Sequence, residues 1–123
     1  MKTDICIVDD NREYLATASK LFEHHGYSVN TVDDPIHALE CIRKSDPRLI
    51  LLDIMMPNID GFSLLKEIKD DSLLGQIPVV VISGKIFPPE KKKAISLGAE
   101  AYISKPVNGN DLLAEVANYL GNS

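Results

Sequence analysis

Basic charge, cysteine and long apolar runs are all scarce in this sequence, and each shortage removes a class of function. Lys and Arg number 13 against 18 Asp and Glu, for a net charge of -5 and a pI near 5.1. Neutralisation of phosphates by cations is the main source of non-specific nucleic-acid affinity, so no direct nucleic-acid partner is expected. The two cysteines, Cys6 in an apolar run and Cys41 on a helix face, lack the paired spacing of zinc or redox motifs. Both are expected to be buried, inert thiols. The longest apolar runs, such as Leu49 to Leu52 and Val79 to Ile82, are strand-sized and far below the roughly 20 residues that cross a bilayer. Lys2 and Asp4 flank a short strand-like stretch at the start, not the apolar core of a secretion signal. No membrane partner is expected, and the location is expected to be cytoplasmic. Low-complexity segments and internal repeats are absent as well.

The remainder is ordinary globular material, 45% hydrophobic and 25% charged over 123 residues, enough for one self-supporting core. Residues 1–123 are expected to form one domain. Short β-branched runs alternate with helical patterns five times, which predicts a parallel sheet covered by helices. Ile5 to Val8 reads as the first strand. Leu15, Ala18, Leu21 and Phe22 give the next segment an apolar stripe, closed by Gly26. Ser28 to Val32 reads as a weaker strand near an edge, and Pro35 suits the first turn of a helix reaching about Lys44. The third strand follows Pro47; Leu49 to Leu52 is apolar on both faces, as a central parallel strand should be, and ends at Asp53. A third helix runs from Gly61 through Lys69, and Pro78 precedes the strand Val79 to Ile82. Pro88-Pro89 opens a fourth helix closed by Gly98, Ala101 to Ser104 is the fifth strand, and Leu112, Leu113, Val116, Ala117 and Leu120 line the last helix.

Asp9 and Asp10 follow strand one, Asp53 ends strand three, Ser83 ends strand four and Lys105 ends strand five. In an open parallel α/β sheet the carboxyl ends share one edge, where ligands bind, so residues far apart in sequence converge there. Carboxylates crowded into one pocket repel each other unless a cation joins them. Magnesium takes one or two carboxylates plus water and phosphate oxygens, which Asp10, Asp53 and a water-bridging Asp9 would offer. A carboxylate beside such an ion can act as a nucleophile and form an aspartyl phosphate, and Asp53 is placed for this. Lys105 supplies a point charge for a phosphoryl oxygen and Ser83 a hydroxyl donor.

The residues VDD at 8–10, LLDIMMP at 51–57, DG at 60–61, ISG at 82–84 and YISKP at 102–106 carry a resemblance to the receiver domain of response regulators in two-component signal transduction. The pattern is chemotaxis-regulator-like and runs from the first strand to the last helix. The resemblance implies a flavodoxin-like, doubly wound (βα)5 fold with strand order 2-1-3-4-5. It implies that Asp53 accepts a phosphoryl group from a histidine kinase phosphohistidine, and that Asp9, Asp10, Asp53 and the Met55 backbone carbonyl bind Mg2+. Ser83 and Lys105 match the family's hydroxyl and lysine, Tyr102 its switch aromatic, and Lys105-Pro106 its cis bond. Such a domain is a regulatory phosphoacceptor, promoting only its own phosphorylation and dephosphorylation. Its partners would be a sensor histidine kinase or phosphotransfer protein, and a downstream effector or a second copy bound through the fourth helix, fifth strand and fifth helix. The chain stops three residues after Leu120, which leaves open a stand-alone receiver, a phosphorelay shuttle and the front of a longer regulator.

Several positions have their own readings. Gly84 stands where alanine is frequent and should ease access to the phosphoryl site. The resemblance implies that Met55 and Lys85 occupy positions that vary across the family and tune aspartyl-phosphate lifetime. Ile86-Phe87-Pro88-Pro89 is read as a capped helix start, with Phe87 packed on its own helix; a partner-docking Phe87 is the alternative. Alone, Asp9 and Asp10 could instead cap a helix. Lys91 to Lys93 reads as a solvated face, His24, His25 and His37 as surface residues without the spacing and acidic partners for metal binding or phosphotransfer, and Met55 and Met56 as the seal beneath the site. Two other functions compete. An aspartate-nucleophile phosphatase of the haloacid-dehalogenase type needs an acid two positions after its nucleophile, where this chain has Met55 after Asp53 and Asn11 after Asp9. A flavin carrier on the same fold needs a phosphate-binding loop where Asp9-Asp10 would repel phosphate.

Overall fold

Three inner strands are apolar at almost every position because both of their faces are covered. The computed structural model describes residues 2–57, 59–84 and 87–121. Within them β1 (Thr3–Val8), β2 (Val29–Val32), β3 (Pro47–Leu52), β4 (Val79–Ser83) and β5 (Ala101–Ser104) form one parallel sheet in the order β2-β1-β3-β4-β5. The helices are α1 (Arg12–His24), α2 (Ala38–Ser45), α3 (Gly61–Asp70), α4 (Pro88–Ser96) and α5 (Gly109–Leu120). This is the flavodoxin-like (βα)5 arrangement, as expected.

Side chains alternate across the sheet and sort into two cores. Cys6, Val8, Ile50, Leu52, Val79 and Val81 pack with Ala38 and Ile42 of α2, Leu65 and Ile68 of α3 and Ala94 of α4. Ile5, Ile7, Leu49, Leu51, Val80 and Ile82 face the other way, toward Leu15 and Phe22 of α1 and Leu112 and Val116 of α5. Registers Val8↔Leu52 and Ser83↔Ser104 align the strand ends along one edge. The chain stays paired just beyond: the Asp9 N–H donates to Val32 O at 3.0 Å, Asp53 N–H to Val8 O at 2.9 Å and Lys105 N–H to Ser83 O at 2.8 Å. Gly26 and Gly98 close α1 and α4 with φ of 90° and 109°, a left-handed turn that glycine adopts freely.

Three expectations need correction. Pro35 is not in the first turn of α2, which begins at Ala38. The Asp34 carboxylate accepts the Ile36 N–H at 3.0 Å and pairs with the His37 ring at 2.6 Å, so the chain makes an Asx-type turn before the helix starts. Cys41 is only partly buried, whereas burial pushes the Cys6 thiol up to about 11. The start of α4 is capped, because Glu90 accepts the Phe87 N–H at 3.1 Å, but the Phe87 side chain is 58% exposed and not packed on its helix. Phe87 sits outside the first helical turn in extended backbone, ahead of the two prolines. Ile86 and Lys85 lie outside the described residues.

Candidate functional site

Four strand ends deliver the site. Asp9 is 2% exposed; its Oδ1 accepts the Asn11 N–H at 2.9 Å and its Oδ2 takes Lys105 Nζ at 2.6 Å. Asp53 is 7% exposed; its Oδ1 accepts the Met55 N–H at 2.8 Å and the Ser83 hydroxyl at 3.1 Å, and its Oδ2 takes Lys105 Nζ at 3.2 Å. Asp10 is exposed, and one oxygen from each of Asp9, Asp10 and Asp53 lies within 4.8 Å of the others. Asp9, Asp10, Asp53, Ser83 and Lys105, all proposed from sequence, therefore meet at one edge. Met55 enters by its backbone N–H, while its side chain is 53% exposed. Only Met56 is buried, so the expected seal by both methionines is corrected: the turn closed on Asp53 Oδ1 leaves Met55 facing outward.

Burial and pairing compete in the electrostatics. It pushes the Asp9 carboxyl up, against the pull of hydrogen bonds from Lys105 and Asn11 and of the Lys105 charge. Burial alone would lower the Lys105 ammonium, but the Asp9 hydrogen bond and the charges of Asp53 and Asp9 outweigh it, and the net direction is upward. One ammonium against three carboxylates leaves the cluster net negative, and its donors are all oxygen. That set fits a hard divalent cation such as Mg2+. Helix capping does not account for Asp9 and Asp10, because Asn11 is the N-cap of α1 and accepts the Tyr14 N–H at 3.1 Å.

Tyr102 is buried beside β4, opposite Val81 in register. Burial raises its phenol pKa, and a hydrogen bond with Ser83 works against that rise. The Lys105-Pro106 peptide bond is cis, as expected. A Cβ added at Gly84 would meet nothing within 4 Å among the described residues. Lys91, Lys92 and Lys93 are exposed, although Lys93 Nζ stands 4.5 Å above the Phe62 ring. The three histidines are exposed, as expected, and His37 pairs with Asp34 away from the acidic cluster. No acid stands at Met55 or Asn11, so nothing supports the dehalogenase-type phosphatase, and the acidic first loop offers no flavin phosphate site.

One contact was not anticipated. The Tyr14 ring lies 4.2 Å from Lys105 Nζ. Its place in the first turn of the helix after Asp9-Asp10 was the available signal, since that turn must open at the carboxyl edge of the sheet.

Comparison with known proteins bears on the family and the fold. Residues 5–117 match the response regulator receiver domain family. The polar-differentiation response regulator DivK of Brucella ovis is 32% identical over 123 residues, the whole of both chains. A CheY-like response regulator receiver domain protein from Methanospirillum hungatei JF-1 superposes with a TM-score of 0.87 at 30% identity, covering 98% of this chain and 94% of that one. A Burkholderia pseudomallei response regulator, crystallised with a phosphorylated aspartic acid, a calcium ion and citrate, gives 0.84 at 25% identity over 94% of this chain and 66% of that one. The chain belongs to the response regulator receiver domain family of two-component signalling.

Proposed function

We propose that the chain is a phosphorylation-dependent switch in which Asp53 accepts a phosphoryl group from the phosphohistidine of a sensor histidine kinase or phosphotransfer protein. The observation that carries this reading is the seating of Asp53 among Asp9, Asp10, Ser83 and Lys105, which come from separate strand ends. The Burkholderia relative, with its phosphorylated aspartate and calcium, supports it.

An Asp53 carboxylate oxygen attacks phosphorus; the new P–O bond forms as the P–N bond to the imidazole breaks, and the leaving nitrogen keeps the electron pair. Asp9, Asp10, Asp53 and the Met55 carbonyl would hold Mg2+, which when bound neutralises charge on the phosphoryl oxygens. Lys105 stands within reach of Asp53 and pairs with one phosphoryl oxygen, and Ser83 turns its hydroxyl from Asp53 Oδ1 to another. Because Ser83 also faces Tyr102, its movement frees space for that ring to rotate, changing the surface of α4, β5 and α5 for an effector or a second copy. Nearly complete switching needs a bias of about 5.5 kcal/mol between the two states. No helix among the described residues is long and apolar enough to cross a membrane, and a cytoplasmic location belongs to the same proposal.

The test is intact mass after incubation with acetyl phosphate and Mg2+, beside an EDTA control and Asp53→Asn. One added phosphoryl group on the wild type alone, and only with metal, is expected. Labelling that survives in Asp53→Asn would move the acceptor elsewhere.

A further inference from the structure

The phosphoryl chemistry leaves one side of Lys105 unexplained. Its ammonium has three N–H donors and no acceptor. Asp9 Oδ2 at 2.6 Å and Asp53 Oδ2 at 3.2 Å take two of them, and the Tyr14 ring centre lies 4.2 Å from the nitrogen. The face of an aromatic ring is electronegative and attracts a cation within about 6 Å. The Tyr14 hydroxyl, by contrast, is buried and has no hydrogen-bond partner among the described residues, so it adds nothing polar to the site. What Tyr14 supplies is its ring. Tyr14, Thr17, Lys105, Pro106 and Val107 together line an open cavity of about 500 Å³, so the ring and the lysine share one solvent-facing wall.

We propose that Tyr14 is a positioning residue whose ring face seats the Lys105 ammonium between Asp9 and Asp53 before a phosphoryl group arrives. This rests on the reading of Asp53 as the phosphoacceptor. A lysine head on four flexible carbons loses freedom when it is fixed, and fixing it beforehand removes that cost from the transfer step.

Tyr14→Phe keeps the ring and removes the unpaired hydroxyl, whereas Tyr14→Leu fills much of the space without a π face. By NMR, the Lys105 ε-methylene protons should be shifted upfield by ring current in wild type and Tyr14→Phe, and should return to the ordinary lysine position in Tyr14→Leu. With acetyl phosphate and Mg2+, phosphoryl incorporation should be unchanged in Tyr14→Phe and on the order of threefold to tenfold slower in Tyr14→Leu. Tyr14→Leu should have no further effect in a Lys105→Met background. Equal loss in the Phe and Leu variants would assign the role to the hydroxyl and overturn the proposal, as would a Lys105 shift or a rate indifferent to Tyr14→Leu. Thermal melts check each fold, and Tyr14→Met replaces the Leu variant if that one unfolds. A wild type that takes up no phosphoryl group overturns the phosphoacceptor reading instead, and the Lys105 shift then decides alone whether Tyr14 seats the ammonium.

Discussion

Gly61 has no room for a side chain: a Cβ built there would lie 2.3 Å from the Ile54 Cα and carbonyl oxygen. That close approach brings the start of α3 against the loop that carries Asp53 and Met55. Gly61→Ala should destabilise the fold by about 1–3 kcal/mol, the usual cost of overpacking, read as a lower denaturant midpoint. Gly84→Ala, where a Cβ meets nothing, should leave the midpoint unchanged. At Asp34 and His37 the charges decide. The His37 hydrogen bond holds the Asp34 carboxyl below its ordinary 3.8, and the same bond raises the ring above 6.5. The stability from this pair is therefore full between those two ordinary values. It is lost as pH falls through the lowered Asp34 value or rises through the raised His37 value. A proton NMR titration should find His37 above 6.5 and returned toward it in Asp34→Asn. The sequence hid this pair because nothing in the spacing Asp34-Pro35-Ile36-His37 distinguishes a turn from a helix start; only the side-chain hydrogen bonds do.

Among the elements, α1 shows how one short loop divides its work. Asp9 is directed into the site, and Asn11 takes over the capping of the helix. Asn11→Ala should cost about 1 kcal/mol, seen as a lower melting temperature with the far-UV helix signal retained. The strands were legible in the sequence because β3 and β4 are apolar on both faces, a pattern that only a covered parallel sheet explains. Helix ends were legible where glycine made the turn, at Gly26 and Gly98. They were not legible at α2, where Pro35 is equally at home in a turn. The site followed from topology: once the strands are parallel, Asp9, Asp10, Asp53, Ser83 and Lys105 have to meet. The contact between Lys105 and Tyr14 depends on the rotamer of a long side chain, which no residue pattern specifies.

For the whole molecule, the acidic cluster ties folding to cation binding. The three carboxylates come together only in the folded chain, so Mg2+ on the proposed site binds the native state and not the unfolded one. At a hundredfold excess over Kd it should add about 2.7 kcal/mol to the unfolding free energy, measured by urea titration with and without metal. Asp10→Asn should lose most of that increment.

The order β2-β1-β3-β4-β5 leaves β2 and β5 each with one unpaired edge, while β1, β3 and β4 are bonded on both sides. In deuterated water this separates the backbone amides by the size of the opening each needs to trade its proton. Those of the outer strands are released by local fraying. Those of Ile7, Leu51 and Val81, buried between both cores, wait for the entire domain to open, so their exchange rates report the global unfolding free energy under native conditions, without denaturant.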